Sequence, residues 1–227
     1  MKGRVRATVP IVVVAALVVV CDILMIPLRQ SAGKYPYDQV SIILQLGRGF
    51  VTVLVAGLMG LLLAPRVGSP LWWRRGDGSR ASRRATVIAL AVSLAAVGYN
   101  TLSVVAYTIF YPHQMTTLAP WIEQMSPGIA IVGSVRAALY EDTLWRFCLF
   151  NAVTWGVLRF LPSRRASLVV GAVVPTLFFG LIHPGFFSVF FIGLALVYVY
   201  HQRGLIPAMI VHFFTDAIPY VLAPMML

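Results

Sequence analysis

Long apolar runs recur along the whole chain and are separated by short polar segments. A helix needs about 20 apolar residues to cross the ~30 Å hydrocarbon core of a bilayer, and these runs have that length. Only 11% of the residues are charged, whereas soluble domains average about a quarter. The pattern predicts an all-α, polytopic membrane protein with about seven transmembrane helices, near 9–28, 40–64, 86–111, 128–157, 166–183, 186–201 and 205–223.

The basic residues are distributed unevenly between the two sides that these spans define. The net charge is +11, and 13 of the 18 Lys and Arg residues fall before the first span or in the loops after the second, fourth and sixth. Cytoplasmic loops carry such an excess, so the N-terminus is predicted to be cytoplasmic. The basic loop 66–85, with Trp72 and Trp73, is interpreted as an anchor to the lipid bilayer surface rather than as a nucleic-acid site.

The first span also has to be distinguished from a cleaved signal peptide. Its apolar stretch is longer than the usual 7–15 residues, and no convincing small-residue cleavage site follows it. We therefore interpret it as an anchored helix. Cys21 and Cys148 both fall in spans, which makes a structural disulfide unexpected.

Ionisable residues are concentrated in the second half of the chain. Residues 1–127 are predicted to form an N-terminal three-span region, and residues 128–227 a four-span core within the same membrane domain. The segment 112–126 between them is interpreted as a connector on the outer side with a short interfacial helix. Any chemistry is expected in the four-span core.

The stretch "YEDTLWRF" places two acids and an arginine inside the fourth span. Charged groups at the centre of a bilayer are costly unless they pair or line a wet cavity. Asp142 and Arg146 are four residues apart and share one helix face, as expected of a structural ion pair. Glu141 lies about 100° around the helix from Asp142 and is left as a candidate general acid or base.

Two further spans carry histidines. His183 is followed directly by Pro184, which breaks the helix, so its side chain could face a cavity or simply the lipid headgroups. His212 and Asp216 are four residues apart on one face of the last span, and a single packing hydrogen bond would also explain them. Together with Glu141, these residues are the usual components of water activation.

A depth estimate from the rise per residue only partly supports a shared site. Glu141 and His183 both come out at roughly 25 Å from the inner ends of their spans, whereas His212 and Asp216 come out at roughly 10 and 17 Å. The mismatch shrinks if the 202–206 turn is recessed or the last span is tilted.

Three motifs in this order resemble those of the CAAX protease and bacteriocin-processing family (CPBP, or Abi). "EDTLWR" resembles its E-E-x-x-x-R motif, "FGLIH" its F-x-x-x-H motif, and "HFFTD" its H-x-x-x-N/D motif. The resemblance covers about residues 128–220. It implies an intramembrane endopeptidase in which Glu141 activates water with help from His183, and Arg146 holds the acidic pair. His212 and Asp216 take the position that stabilises the oxyanion, and Phe179 packs one turn before His183.

Two departures from the family pattern affect these expected roles. Asp142 stands where the family usually has Glu, which is a mild change if this acid only pairs with Arg146. Asp216 stands where Asn is common, and an ionised Asp cannot donate to an oxyanion. Asp216 is therefore expected to orient His212, to be protonated or to bind a metal.

The same residues could also form a site for Zn²⁺ or a similar metal ion. Glu141, His183, His212 and Asp216 could ligate Zn²⁺, although no H-E-x-x-H motif is present. Metal-independent chemistry without a cofactor is favoured here.

The leading hypothesis is hydrolysis of a peptide bond in a membrane-associated peptide or protein. The alternative is a non-catalytic family member that acts as a membrane scaffold or bacteriocin-immunity protein. A transporter or proton relay is less favoured because no internal repeat is evident. The excess of Arg over Lys is consistent with a prokaryotic, multi-pass plasma-membrane protein.

Overall fold

The described part of the chain is entirely helical. A computed structural model describes the backbone of residues 2–31, 39–74, 79–111, 125–161 and 163–226, and these ranges contain no strand. The helices are α1 (Lys2–Ser31), α2 (Gln39–Val67), α3 (Arg80–Phe110), α4 (Pro127–Glu141, Asp142–Phe150 and Asn151–Val157 in succession), α5 (Arg164–Leu181), α6 (Phe186–Arg203) and α7 (Leu205–Leu222), followed by a 3₁₀ turn, Ala223–Met225.

Each predicted span corresponds to one of these seven helices, so the all-α, multi-pass fold is confirmed. Six of them (all except α4) are individually long and apolar enough to cross a membrane, and α4 is divided by a change of helix type. The predicted interfacial helix at 112–126 falls mostly outside the described residues. The cytoplasmic position of the N-terminus remains a prediction.

Serine caps start three of the helices. The hydroxyls of Ser79, Ser126 and Ser163 accept hydrogen bonds from backbone amides three residues later, at 3.1–3.3 Å. Such caps satisfy amides that have no partner within the first helical turn. They set the start of α3, α4 and α5, and a proline in the first turn of α4 adds to its cap.

One end of the bundle gathers the loops that are rich in arginine, and we call it the basic end. Arg164 at the start of α5 donates to the carbonyl of Val67 at the end of α2. Arg203 at the end of α6 donates to the carbonyl of Ser82 in the first turn of α3. The ends of α2 and α6 and the starts of α3 and α5 therefore meet on one side.

A hydrophobic core cluster joins the two halves of the chain. Ile11 and Ala64, from α1 and α2, belong to the same buried cluster as Phe147, Tyr200 and Leu205 from the second half. Lipid tails are as apolar as these side chains, so within a membrane such a cluster is stabilised by van der Waals packing between the helices. The N-terminal helices are thus part of the packing that holds the candidate site.

The middle of α4 is a π-helix, Asp142–Phe150, in which backbone amides bond five rather than four residues back. Thr143 donates to the carbonyl of Leu139, and Asn151 donates to the carbonyl of Phe147, both at 2.7 Å. These side-chain bonds stabilise the two junctions with α-helix, where the backbone pattern changes. π-Helical turns in proteins concentrate at functional sites, and this one begins directly after Glu141.

The first half of the chain contributes polar contacts as well as apolar packing. The sequence had not indicated these polar contacts. Asp22 on α1 forms an ion pair with Arg136 on α4. Asn100 on α3 donates to the carbonyl of Thr215 on α7 at 2.8 Å, directly before Asp216. Both bonds connect an N-terminal helix to one that carries a candidate site residue.

Candidate active site

Glu141 lies at the junction of three helices and contacts both histidines predicted from the sequence. Its Oε1 is 3.8 Å from Nε2 of His183, and its Oε2 is 3.7 Å from Nε2 of His212. Both distances slightly exceed a direct hydrogen bond and fit groups that share a water molecule. The structure therefore brings together α4, the α5–α6 turn and α7.

His183 occupies the turn between α5 and α6, where Pro184 ends the helix and Gly185 adopts a left-handed conformation at φ 77°. Its Nδ1 donates to the carbonyl of Phe179 at 2.6 Å. Because this bond occupies Nδ1–H, the neutral imidazole presents Nε2 as an acceptor towards Glu141. The ring centroids of His183 and Phe179 are 4.4 Å apart.

His212 lies between three carboxylates. Its Nδ1 is 3.3 Å from Oδ1 of Asp142, and its Nε2 is 3.4 Å from Oδ2 of Asp216. The second of these contacts is the predicted pair on one face of α7. Since both ring nitrogens face acceptors, the orientation of the imidazole is fixed from two sides.

Asp142 and Arg146 form the predicted ion pair inside the bundle. Nε of Arg146 is 3.3 Å from Oδ1 of Asp142, and both side chains are buried. The guanidinium also lies 4.3 Å from the centre of the Phe179 ring, a cation–π contact. Arg146 is thus coupled to the residue whose carbonyl orients His183.

Exposure divides the cluster into two layers. The side chains of Glu141, His183 and Asp216 retain 20%, 29% and 18% exposure, whereas Asp142, Arg146 and His212 retain 4% or less. The outer layer is therefore partly exposed at the surface of the bundle. The side chains of the inner layer contact those of the outer layer from inside the bundle and hold their orientation.

The depth mismatch expected from the sequence is absent, because His212 contacts Glu141 directly. The start of α7 lies recessed: Leu205 is fully buried, and its amide bonds to the carbonyl of Leu71 in the loop that covers it. Gly204, at φ 106°, packs so closely against Trp72 that a Cβ would overlap the backbone. The recessed turn moves His212 further into the bundle than its count along α7 implies.

The four residues proposed as metal ligands do not form a recognisable metal site. Among the residues that the structure describes, no group of three or more His, Cys, Asp or Glu side chains is arranged to hold a metal ion. The imidazole nitrogens instead face the carbonyl of Phe179 or the carboxylates around them. Metal-independent catalysis remains a prediction.

Sequence reasoning did not identify every residue around the cluster. The Trp145 ring packs edge-on against Phe179 at 5.5 Å, and Asn100 fixes the backbone beside Asp216. Trp145 lies within the first motif, but at a position that the motif leaves variable. Asn100 is a polar residue in an apolar span, and no sequence pattern links it to α7.

Comparison with known proteins gave a match to one family model. The family model of the type II CAAX prenyl endopeptidase Rce1-like proteins matches residues 123–218, a range that contains all three motifs. No curated protein matched the chain, and no solved structure did. The matching family is a family of proteases. Residues 123–218 of this multi-pass membrane protein are therefore an Rce1-like domain of the CPBP family.

Proposed function

We propose that this protein is an intramembrane endopeptidase that hydrolyses a peptide bond with water activated by Glu141 and His183. The observation that carries the proposal is the position of the Glu141 carboxylate within 3.8 Å of both imidazoles, in the exposed layer of the cluster. A general base must reach its proton directly or through one water, and this geometry meets that requirement.

The tautomer of His183 indicates how a water molecule would be held. Nε2 of His183 and Oε1 of Glu141 are both acceptors, so a water between them donates one O–H to each. Its oxygen lone pairs then face the substrate carbonyl. As that oxygen attacks the carbonyl carbon, Glu141 takes the proton and later delivers it to the departing amine nitrogen.

The developing oxyanion needs a donor, and His212 is the residue placed to supply one. An N–H at Nε2 of His212 would donate to the oxyanion, while Asp142 holds the imidazole through Nδ1. Asp216, whose Oδ2 faces the same Nε2, orients His212 before the substrate binds, and the hydrogen bond from Nε2–H shifts from this carboxylate to the oxyanion as the negative charge develops there. Arg146 holds the Asp142 carboxylate in place through their buried pair.

Replacing Glu141 by Gln tests the proposal, since it keeps size and hydrogen bonding but removes the base. We expect at least a ~100-fold loss of cleavage, within the range that a general base contributes. New protein termini are measured by mass spectrometry in membranes of cells that produce either form. Glu123→Gln, the same change at the chain's other glutamate, serves as the control.

The outcome separates the competing functions. Termini that depend on Glu141 and survive exhaustive chelation support a metal-independent protease, and their loss on chelation would overturn the metal-independent mechanism. If both forms of the protein give identical termini while remaining folded, the hydrolytic proposal fails and a scaffold or immunity role takes its place.

A prokaryotic plasma membrane is the location we propose.

A further inference from the structure

The charged surface of the bundle is polarised along the direction of the helices. The basic end, defined above by the contacts of Arg164 and Arg203, also carries Arg66 and Arg159. These two guanidinium groups lie 5.8 and 4.3 Å from the ring centre of Trp155. Arginine stacked on tryptophan at a helix end is typical of the interface with anionic headgroups.

The candidate site lies away from the basic end. Helix α5 starts at the basic end with Arg164 and runs for 18 residues, which is about 27 Å, before His183 follows it. This distance is nearly the full ~30 Å thickness of the hydrocarbon core. Glu141 is also far from the basic end. The π-helix and the last α-helical segment of α4 both lie between Glu141 and that end.

Packed side chains close the route from the basic end to the site. Phe147 and Phe150 follow Arg146 along α4 in that direction, and their rings contact Tyr200 edge-on at 6.1 and 5.8 Å. All three are buried, as is Leu205 at the start of α7. Tyr200 is further held by a 2.7 Å hydrogen bond from Asn151.

Four side chains of the cluster, two on α4 and two on α7, indicate the direction of opening. On α4, the partly exposed Glu141 is farther from the basic end than the buried Arg146. On α7, the partly exposed Asp216 is farther from it than the buried His212. Both helices therefore present the accessible layer away from the basic end.

We propose that the site opens to the non-cytoplasmic side of the membrane and takes peptide segments presented there. The inference rests on the proposed peptidase function and on the positive-inside rule, which assigns the basic end to the cytoplasm. The substrate class is then a secreted peptide or the external part of a membrane protein. A C-terminal tail of a cytoplasmic protein would have to cross the bilayer to reach Glu141.

Cysteine labelling in intact cells tests the direction of opening. Cys21 and Cys148, both buried, are first replaced by Ala to give a cysteine-free chain. Ile182→Cys and Pro184→Cys then place a thiol on either side of His183, at exposed positions. Trp73→Cys and Phe160→Cys, also exposed, are the matched pair at the basic end.

A membrane-impermeant maleimide is applied before and after permeabilisation. We expect the thiols beside His183 to react several-fold more than those at the basic end in intact cells, and the basic-end thiols to react only after permeabilisation. The reverse pattern would overturn the proposal and assign the site to cytoplasmic substrates. Failure of the thiols beside His183 to react on either side of a folded protein would also overturn it, because the site would then lack access to water.

The labelling result is independent of hydrolysis. If Glu141→Gln leaves all termini unchanged, the peptidase function fails whatever the labelling shows. If cleavage depends on Glu141 but the thiols beside His183 react only from inside, the function stands and the direction of substrate access is wrong. The two readouts therefore distinguish the two failures.

Discussion

At the scale of single residues, the site depends on which carboxylates are buried with a partner and which remain open. Asp142 and Glu141 are adjacent in sequence, yet one pairs with Arg146 inside the bundle and the other faces both imidazoles at the surface of the cluster. Neighbouring acids point in different directions because a helix turns by about 100° per residue. One motif thereby supplies both a structural charge and a candidate base.

Asp216 gives a prediction at this scale, because it replaces the Asn that is common in the family. Its Oδ2 faces Nε2 of His212 at 3.4 Å, and an asparagine oxygen can accept from the same atom. We expect Asp216→Asn to retain kcat/KM within about tenfold, whereas Asp216→Leu, which has no acceptor, loses up to about 100-fold through misorientation of His212.

The two variants are compared with a substrate identified by the termini experiment. The loss in Asp216→Leu is expected mainly in kcat, with little change in KM, because the proposed role of His212 is to stabilise the transition state. An equal loss in the Asn and Leu variants would show that the charge of Asp216, rather than its acceptor, is required.

At the scale of the elements, the site depends on how closely α4, α5 and α7 approach one another. Gly171 on α5 is one of the points of closest approach. A Cβ there would overlap the Thr154 hydroxyl and lie 3.1 Å from the backbone oxygen of Phe150, both on α4. The backbone oxygen cannot rotate away, so an added methyl group must push the helices apart.

We expect Gly171→Ala to lower the free energy of unfolding by about 1–3 kcal/mol, the usual cost of overpacking. Thermal unfolding of the purified protein in detergent measures it. Gly98→Ala on α3 is the matched control: nothing lies within 4 Å of its Cβ position, so stability should stay equal or rise by up to about 1 kcal/mol. Equal melting temperatures for the two variants would show that the α4–α5 contact is not tight.

The sequence predicted the helices well and their internal geometry less well. Runs of apolar residues predicted all seven helices, and six of these helices are individually long and apolar enough to cross a bilayer. The π-helix at Asp142–Phe150 was not predicted, since its apolar pattern also fits an α-helix. The grouping of Glu141, His183 and His212 was suggested by their chemistry, whereas their actual depth depended on the recessed turn at Gly204, a tertiary feature.

At the scale of the whole molecule, an ion pair adds to the packing between the N-terminal helices and the second half of the chain. Asp22 is almost fully buried and pairs with Arg136, one turn before Tyr140 and Glu141 on α4. The guanidinium of Arg136 also lies 5.1 Å from the Tyr140 ring centre. The α1–α4 contact is therefore directly connected to the segment that positions Glu141.

This pair predicts an asymmetric response to substitution. Arg136→Met leaves the carboxylate of Asp22 buried without a partner and should destabilise the protein by about 3–5 kcal/mol. Asp22→Leu should cost less, because the Arg136 side chain keeps 25% exposure and its contact with Tyr140. The double variant should recover most of the stability, since replacing a buried pair with apolar residues is often neutral.

Thermal unfolding of the four proteins gives the coupling between the two residues, and additive losses in the double variant would show that they act independently. If the pair also positions Glu141, Arg136→Met should lose peptidase activity at temperatures well below its unfolding, and the double variant should restore stability more fully than activity.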